Sequence, residues 1–482
     1  MKTNETIQPE FKPLNDPETF LDHIKELTRP KKVTPSKEVL NKLLEQIESI
    51  DFESRVFSRP KNFFNDDKAD EFDDESSNNR LKDYHYQIEI VEHLKELAEK
   101  NDWGLAKHQG MTYVYNGAFW SNVERDTLKN FLGEAAEKMG VPKYKAMYFR
   151  FKNNLLEQFY ASTYLEVPEK SYDTVMINLL NGTYEITSKG RGLRPFNRKD
   201  FIKYQLPFEY DEKAEAPIFH KYLKEVLPDK EDRKSLSESL GYVFISPRTL
   251  KLEKAVVLYG SGANGKSVFF EVSNALLGKE NITNYSLQSL TDEKGYQRAR
   301  LGGSLLNYSS DISAKITDNA IFKQLVSGEP VDARLPYRDP FILFDYGKLM
   351  FNCNRLPREA ERSDAFFRRF HIMHFNVTIP DHKQNKGLHK EIIDGELSGV
   401  FNWMLVGLDR LLTQKAFTES EATKRIHKEY RRTSDSVLMF IEECCEISSE
   451  YYTTIKDIYS EYKSYCFANG YMHVGNWNTI KR

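Results

Sequence analysis

Apolar residues between positions 254 and 375 alternate between short strand-like runs and helix-like stretches. Such alternation is typical of a parallel sheet with helices on its faces. We therefore predict an α/β domain here. Its expected elements, in chain order, are strand 255–259, helix 265–277, strand 301–309, helix 316–327, strand 348–352 and strand 370–375.

The segments on either side of this domain have mainly helical patterns. Residues 81–160 contain three helical stretches and, at 111–120, two β-type runs around Asn116 and Gly117, a dipeptide typical of hairpin turns. Two further helical patterns lie within residues 217–245, and the chain after residue 375 is again helical. Before residue 81 we expect one helix near residues 35–50 and a polar, acidic tract with few groups to bury.

Length and composition limit the classes of protein to consider. A chain of 482 residues is expected to form roughly two to four domains. No apolar run approaches the roughly 20 residues that span a bilayer. The first residues lack an apolar signal core, and the four cysteines show no disulfide or metal spacing, so we expect a cytoplasmic protein. With a net charge of −3, any contact with nucleic acid must be local.

The strongest chemical signal is a glycine-rich motif between the first predicted strand and helix of the α/β domain. It follows the P-loop pattern, which predicts a nucleoside triphosphate and Mg²⁺ as ligands. Backbone N–H groups would surround the phosphates, Lys266 would contact the outer phosphates, and the Ser267 hydroxyl would bind Mg²⁺. A glycine-rich turn without a ligand would gain nothing from Lys266 and Ser267. The motif residues are Gly260, Ser261, Gly262, Ala263, Asn264, Gly265, Lys266 and Ser267.

Polar residues at later strand ends suggest partners for this motif. Asp311 follows a β-type run and could hold Mg²⁺, although an acid there could also cap a helix. Asn354 follows another strand and could orient water or sense the γ-phosphate, or simply close a turn. Arg368 and Arg369 precede the last strand and fit an arginine that reaches a neighbouring subunit's nucleotide; a solvated basic turn is the alternative.

Five ordered segments resemble the helicase part of the phage and plasmid primase-helicase family, which is related to poxvirus primase-helicases and to superfamily 3. Upstream segments at 115–120, 178–182 and 206–211 look like the domain that precedes the motor in that family. The resemblance covers roughly residues 85–475. The five segments are 260–267 (GSGANGKS), 306–312 (LNYSSDI), 322–334 (FKQLVSGEPVDAR), 348–357 (KLMFNCNRLP) and 367–370 (FRRF).

The resemblance implies roles for the site residues. Lys266 and Ser267 would bind the phosphates and Mg²⁺, Asp311 would be the Walker B acid, Asn354 the sensor, and Arg369 or Arg368 the arginine finger. Superfamily 3 members often carry two adjacent acids, whereas Ser310 precedes Asp311 here, so the group that activates water stays open, with Glu329 as one candidate.

The family also implies a hairpin after Ser327 that enters the central channel of a ring. In this chain Arg334, Tyr337 and Arg338 would contact a DNA backbone and stack on a base.

The predicted fold is α/β, with an AAA+-like P-loop ATPase core, a preceding small helical domain, and a following helical region with a winged-helix module. The chain stops at Lys481 and Arg482, early in what would be the next helix of that module, so either the module is incomplete or the sequence is trimmed. The roughly 80 residues before the helical domain are too few for a primase domain, so we expect no primer synthesis. The predicted domains are an N-terminal arm and acidic linker (1–80), a helical or α+β domain (81–215), the ATPase domain (216–385), a helical region (386–450) and the winged-helix module (451–482).

The expected function is ATP-dependent unwinding of DNA during replication of a phage, plasmid or integrated element. The expected partners are single-stranded and forked DNA, further copies of the chain in a hexamer, and a separate primase or polymerase. Two alternatives remain: an origin-binding or helicase-loading ATPase without processive unwinding, and a P-loop enzyme such as a small-molecule kinase. Strand displacement on a forked substrate distinguishes a helicase from the first alternative. Stimulation of ATP hydrolysis by DNA distinguishes it from the second.

Overall fold

The computed structural model describes residues 34–57, 80–108, 111–163, 174–310, 312, 318–336, 339–356, 364–471 and 474–476. These residues divide into two units. The first unit comprises the described residues up to 163 together with 180–184 and 192–205. The second comprises 174–179, 185–191 and the described residues from 206 onward.

The first unit is mostly helical, as the periodicity predicts. Its helices are α1 (Ser36–Gln46), α2 (Phe52–Phe57), α3 (Asp83–Lys100), α4 (Arg125–Lys138), α5 (Lys143–Met147) and α6 (Phe149–Ser162). The strands β1 (Gly104–His108), β2 (Met111–Tyr115) and β3 (Trp120–Val123) form an antiparallel sheet in that order. The hairpin predicted around Asn116 is confirmed: its side-chain Oδ1 accepts the backbone N–H groups of Ala118 and Phe119 at 3.1 and 2.9 Å.

The core of the first unit includes residues expected to lie in an N-terminal arm. Val39 and Leu43 of α1 and Phe52 of α2 are buried in the same cluster as Leu94 and Leu132. The prediction of an arm over 1–80 is therefore wrong for α1 and α2. The apolar positions of α1 recur at helical spacing, which gives the helix a face to bury. The acidic tract at 65–75 lies outside the described residues.

Three further strands lie in sequence between the helical part of the chain and the α/β part. Strands β4 (Val175–Leu179), β5 (Gly182–Thr187) and β6 (Gly190–Arg194) form a sheet in that order.

The second unit contains the predicted α/β domain. It begins with α7 (Pro217–Val226) and α8 (Lys230–Gly241), the two helices expected before the domain. The elements that follow are β7 (Ala255–Tyr259), α9 (Lys266–Leu277), β8 (Ile282–Thr283), α10 (Leu287–Leu290), β9 (Leu306–Ser309), α11 (Asn319–Ser327), β10 (Val331–Arg334), β11 (Pro340–Leu343), β12 (Lys348–Cys353), α12 (Asp364–Phe367) and β13 (Phe370–His374).

Five of these strands form one sheet, in the order β13-β7-β12-β9-β8. Every pairing is parallel, so the prediction of a parallel sheet is confirmed. Strand β7 is first in sequence but lies between β12 and β13, the last two strands. Both of its neighbours therefore come later in the chain. Open parallel sheets bind ligands in the crevice outside the carboxyl ends of their strands.

Further helices follow the sheet, and one of them, residues 397–414, packs back on α8. They are α13 (Leu388–Gly395), α14 (Leu397–Gln414), α15 (Glu421–Ser434), α16 (Ser436–Cys444) and α17 (Ile455–Ala468). Gly407 of α14 lies so close to α8 that a Cβ there would overlap the backbone of Ser237. Beside this contact the buried Glu238 carboxylate accepts bonds from Arg410 Nε at 2.5 Å and Thr418 Oγ1 at 2.7 Å. The helical region is thus fixed to the domain that carries the sheet.

The last two helices share a small core of their own. Phe440 of α16 packs against Tyr462 and Cys466 of α17. The winged-helix module stays a prediction, and residues 477–482 lie outside the described residues. Among the helices the structure describes, none is long and apolar enough to cross a membrane.

Candidate functional site

The glycine-rich loop, residues 260–267, joins the carboxyl end of β7 to the start of α9. Its backbone has positive φ angles at Gly262 (110°), Ala263 (48°) and Gly265 (86°). At Gly265 the space is also closed, because a Cβ there would lie 2.6 Å from Val226 Cγ1. Only glycine combines this φ with so little room. The sequence therefore forces a tight loop that ends in the first turn of a helix.

Helix α7 holds the loop from one side. The Tyr222 hydroxyl donates to the Gly265 carbonyl at 2.9 Å. The amino end of α7 is fixed in turn by Glu396, whose carboxylate oxygens accept the N–H groups of Ile218 and Phe219 at 2.9 and 2.8 Å. Helix α7 therefore positions the loop.

Lys266 is a buried cation inside the loop. Its Nζ donates to the Gly260 carbonyl at 2.7 Å and to Asn264 Oδ1 at 3.0 Å, while Asn264 Nδ2 donates to the Phe375 carbonyl at 3.0 Å. Burial lowers the pKa of Lys266 below its usual range. A nearby anion would offset the cost of burying this charge. An ammonium group and the N–H groups at the start of α9 can together bind such an anion.

Asn354 lies at the same edge of the sheet as the loop. Cys353, the last residue of β12, pairs with Tyr259, and its carbonyl accepts the Gly260 N–H at 3.1 Å. Asn354 follows directly and is exposed, as is Ser267 at the start of α9. The neighbouring strand β9 ends at Ser309. Asp311 itself lies outside the described residues, so its predicted place beside Ser267 stays a prediction.

Arg368 and Arg369 lie at the opposite edge of the sheet. Phe370 pairs with Ala255, and the Arg369 carbonyl accepts the Ala255 N–H at 2.8 Å. These arginines are therefore level with the amino end of β7. The five residues of β7 separate the two arginines from the glycine-rich loop. At about 3.3 Å per residue, this is a distance of roughly 16 Å. Neither side chain can serve the loop of its own chain.

The two arginines differ in exposure. The Arg369 side chain is 11% exposed and lies 3.7 Å from Glu253, whereas the Arg368 side chain is 60% exposed and lies 3.5 Å from the same carboxylate. Of the two, Arg368 is the side chain that can reach a neighbouring molecule.

A basic cavity of about 360 Å³ adjoins Arg368, and sequence reasoning did not find it. Helix α15 forms one wall, anchored by the buried ring of Tyr430, whose centroid lies 5.1 Å from that of Phe367. The sequence signal was the run KRIHKEYRR at 424–432, whose basic residues fall on one helix face at spacings of three and four. The cavity is lined by Lys254, Arg368, Glu419, Lys424, His427, Lys428 and Arg431.

Like charges in this cavity disfavour further positive charge. Burial, together with Lys254 and Arg431, lowers the pKa of His427 to about 4. Burial also lowers the pKa of Lys254, against the opposing effect of Glu419. The cavity is thus a second place where an anion would be favourable.

The hairpin expected after Ser327 is present as β10 and β11, paired antiparallel from Val331 opposite Leu343 to Arg334 opposite Pro340. Arg334 is exposed near the tip, while Tyr337 and Arg338 lie outside the described residues. The base is braced by Arg298, a fully buried side chain that sequence reasoning missed. Its Nε donates to the Asp332 carbonyl at 2.9 Å, and its Nη2 to Asp332 Oδ2 at 3.1 Å.

Glu329, one candidate for activating water, lies away from the loop. Its carboxylate is 3.1 Å from Lys251 Nζ, and Lys251 also contacts Glu253, the partner of Arg368 and Arg369. Glu329 therefore belongs with the amino end of β7. Within the described parts of the chain, no group of three or more His, Cys, Asp and Glu side chains could hold a metal ion.

The difference between the arginines leads to a prediction about stability. Arg369→Ala removes a mostly buried side chain and is expected to lower the free energy of unfolding by about 1–3 kcal/mol. Arg368→Ala should change it by less than about 0.5 kcal/mol, because the side chain is exposed. Urea unfolding followed by circular dichroism compares the two variants, which serve as controls for each other. Equal decreases would contradict the assignment of Arg368 as the outward-facing arginine.

Comparisons with known proteins agree with the sequence motifs. Residues 80–228 match the family model described as D5 N terminal like, and residues 258–369 match a family of unknown function, DUF5906. A protein of Acanthamoeba polyphaga mimivirus named "Putative helicase" is 25% identical over 184 residues, which are 35% of this chain and 18% of the viral protein. The chain thus matches less than a fifth of that relative's length.

Among solved structures, the apo NrS-1 C terminal region is 12% identical, with 84% of this chain and 94% of that chain covered at a TM-score of 0.47. An A form apo structure of the same region is 13% identical, with 71% and 75% covered at a TM-score of 0.44. The D5 N terminal like match and the similarity to the viral protein agree with the resemblance to phage-type primase-helicases that the five ordered motifs carry.

Proposed function

We propose that the chain is an ATP-dependent DNA helicase of the superfamily 3 type. The observation that carries the proposal is the glycine-rich loop with its buried Lys266, placed at the carboxyl edge of an all-parallel sheet beside Asn354. This is where a doubly wound sheet binds its ligand. The resemblance to the primase-helicase family supports the link from nucleotide hydrolysis to DNA replication.

ATP fits the loop as substrate. The Lys266 ammonium donates hydrogen bonds to a backbone carbonyl and to the Asn264 amide oxygen, which are both neutral groups. The negatively charged oxygens of a triphosphate would be stronger acceptors for this buried ammonium. The N–H groups of residues 260–267 would contact the same phosphates. Asn354, exposed beside Gly260, would orient the attacking water.

Mg²⁺ would be held by the Ser267 hydroxyl and Asp311. The exposed position of Ser267 at the start of α9 suits a ligand shared with phosphate oxygens. When bound, the ion neutralises negative charge on those oxygens. Lys266 stabilises charge at the same phosphates independently of the metal.

The arginine that completes the site would come from a second copy of the chain. Arg368 is exposed at the amino edge of the sheet, roughly 16 Å from its own loop. The basic cavity beside it would favour the negative charge of a neighbouring subunit's nucleotide. This arrangement supports a homo-oligomer, which we propose is a hexameric ring, with each hydrolytic site shared by two subunits.

Single-stranded DNA would pass through the ring and contact the hairpin of β10 and β11. Arg334, near the tip, would contact the phosphate backbone together with Arg338, and Tyr337 would stack on a base. Since each subunit contributes one hairpin, a modest local charge is multiplied in the channel. This reconciles DNA binding with a net charge of −3. A separate primase or polymerase would use the unwound strands.

The first test is ATP hydrolysis with and without single-stranded DNA. The parent should hydrolyse ATP faster when DNA is present. Lys266→Ala should reduce the rate by about 100-fold or more, because the substitution removes a group that stabilises phosphate charge. Lys279→Ala, an exposed lysine beyond the far end of α9, is the matched control and should keep the parent rate.

Hydrolysis without stimulation by DNA would contradict the helicase proposal and favour a small-molecule kinase. DNA-stimulated hydrolysis without strand displacement on a forked substrate would instead favour a loading or origin-binding ATPase.

The hairpin makes a separate prediction. Arg334→Ala should weaken binding to single-stranded DNA, and the slope of log affinity against log salt should fall in magnitude by about 0.7 for each phosphate that the protein no longer neutralises. Fluorescence anisotropy over a salt series measures both quantities. An unchanged slope would show that Arg334 does not bind a phosphate, and Lys279→Ala again controls for the removal of one surface charge.

A further inference from the structure

One surface of the first unit carries exposed aromatic rings among basic side chains. Residues 143–153 read KYKAMYFRFKN and contain four basic residues and no acidic one, in a chain whose net charge is −3. We call Lys143, Tyr144, Tyr148, Phe149 and Arg150 the basic aromatic surface. It lies on α5 and the start of α6, and none of the site residues described above belongs to it.

The rings of this surface are unusually open to solvent. Tyr144 is 92% exposed, Tyr148 49% and Phe149 56%. A side chain as exposed as Tyr144 offers both faces of its ring to solvent. Neighbouring exposed rings of this size mark a surface that binds something.

The rings stand on a fixed base. Ala146 and Phe151, on the inner side of the same segment, are buried in the core of the first unit. Lys145 is held by Asp83 at 2.6 Å, and its Nζ lies 4.0 Å from the centroid of the Tyr86 ring. The backbone that carries Tyr144 and Tyr148 is therefore anchored on both sides, so a ligand would not have to order it.

The spacing of rings and charges identifies the ligand chemistry. Tyr148 and Phe149 meet edge to face with centroids 5.0 Å apart, and the Arg150 guanidinium lies 5.8 Å from the Phe149 centroid. Aromatic faces bind flat π systems, and Lys143 and Arg150 bind anions. Unpaired nucleotides offer both groups together, whereas the bases of a duplex are already stacked on one another.

We propose that the basic aromatic surface is a second binding site for single-stranded DNA, separate from the hairpin of β10 and β11. Bases stack on Tyr144 and on Tyr148 or Phe149, and Lys143 and Arg150 contact the phosphates. This proposal rests on the proposed function in one respect only, namely that DNA is a ligand of the chain. Binding of DNA to this surface requires neither bound ATP nor ATP hydrolysis.

The test measures binding of a labelled oligothymidylate to the full chain by fluorescence anisotropy, without ATP and in an Arg334→Ala background that weakens the hairpin contact. Tyr144→Ala should weaken binding roughly 5- to 150-fold, the range for removing one stacked base. Tyr144→Phe keeps the ring and should bind like the background protein. Tyr452→Ala is the matched control, since Tyr452 is as exposed but has no basic residue within three positions.

Two further measurements test whether the surface binds phosphates and unpaired bases. Arg150→Ala should lower the magnitude of the salt slope by about 0.7. A duplex of the same length should bind Tyr144→Ala and the background protein equally, because it has no base free to stack.

Unchanged oligothymidylate binding in Tyr144→Ala would overturn the proposal, and a changed sedimentation coefficient in that variant would then assign the surface to protein association. Equal weakening in Tyr144→Phe and Tyr144→Ala would also overturn it, because the hydroxyl rather than the ring would be responsible. If the chain hydrolyses no ATP, the helicase proposal fails while this binding test still gives its own answer.

Discussion

The parallel pairing of β7 with β12 on one side and β13 on the other is the constraint on which the rest of the site depends. Parallel strands bring all their carboxyl ends to one edge and all their amino ends to the other. Lys266 and Asn354 follow carboxyl ends, and Arg368 precedes an amino end. One sheet thus separates the two halves of the proposed chemistry within each chain, and only a second chain can bring them together.

Both halves share an electrostatic property. Lys266 is a buried ammonium among neutral groups, and the basic cavity near Arg368 gathers cations around a single carboxylate, Glu419. In each place burial lowers the pKa of a basic group, Lys266 in one and Lys254 in the other. Bound phosphate groups would offset the cost of burying positive charge at Lys266 and in the basic cavity. A ligand that binds only the folded state stabilises it, so nucleotide binding and assembly should support each other.

Sequence patterns predicted four of the five strands of the sheet, because buried strands and amphipathic helices have distinct periods, but they did not predict the two-residue strand β8. Strand 255–259 is observed as predicted, and the helices predicted at 265–277 and 316–327 are observed with small shifts at their starts. The packing of α1 and α2 into the first core was missed, since a polar tract after them suggested a linker. The sequence could not show which of the adjacent Arg368 and Arg369 faces outward. The two side chains differ in exposure only in the folded structure, where both lie near Glu253.

Other features needed three dimensions for the same reason. The basic face of α15 is a solvated helix surface by sequence alone, and it becomes a cavity wall only because β7 and α12 place Lys254 and Arg368 opposite it. Arg298 looks like one more basic residue, yet it is fully buried and braces the hairpin through Asp332. Roles of this kind follow from the register of strands and cannot be read from spacing.

The central claim, a site shared between subunits, is tested most directly by mixing two inactive variants. Lys266→Ala lacks the loop cation and Arg368→Ala lacks the outward arginine, so each alone should hydrolyse little ATP. When they are combined and allowed to exchange subunits, an intact loop meets an intact arginine at some interfaces, and the mixture should recover part of the parent's DNA-stimulated rate. No recovery in rings verified to contain both variants, or a normal rate for Arg368→Ala alone, would contradict the account.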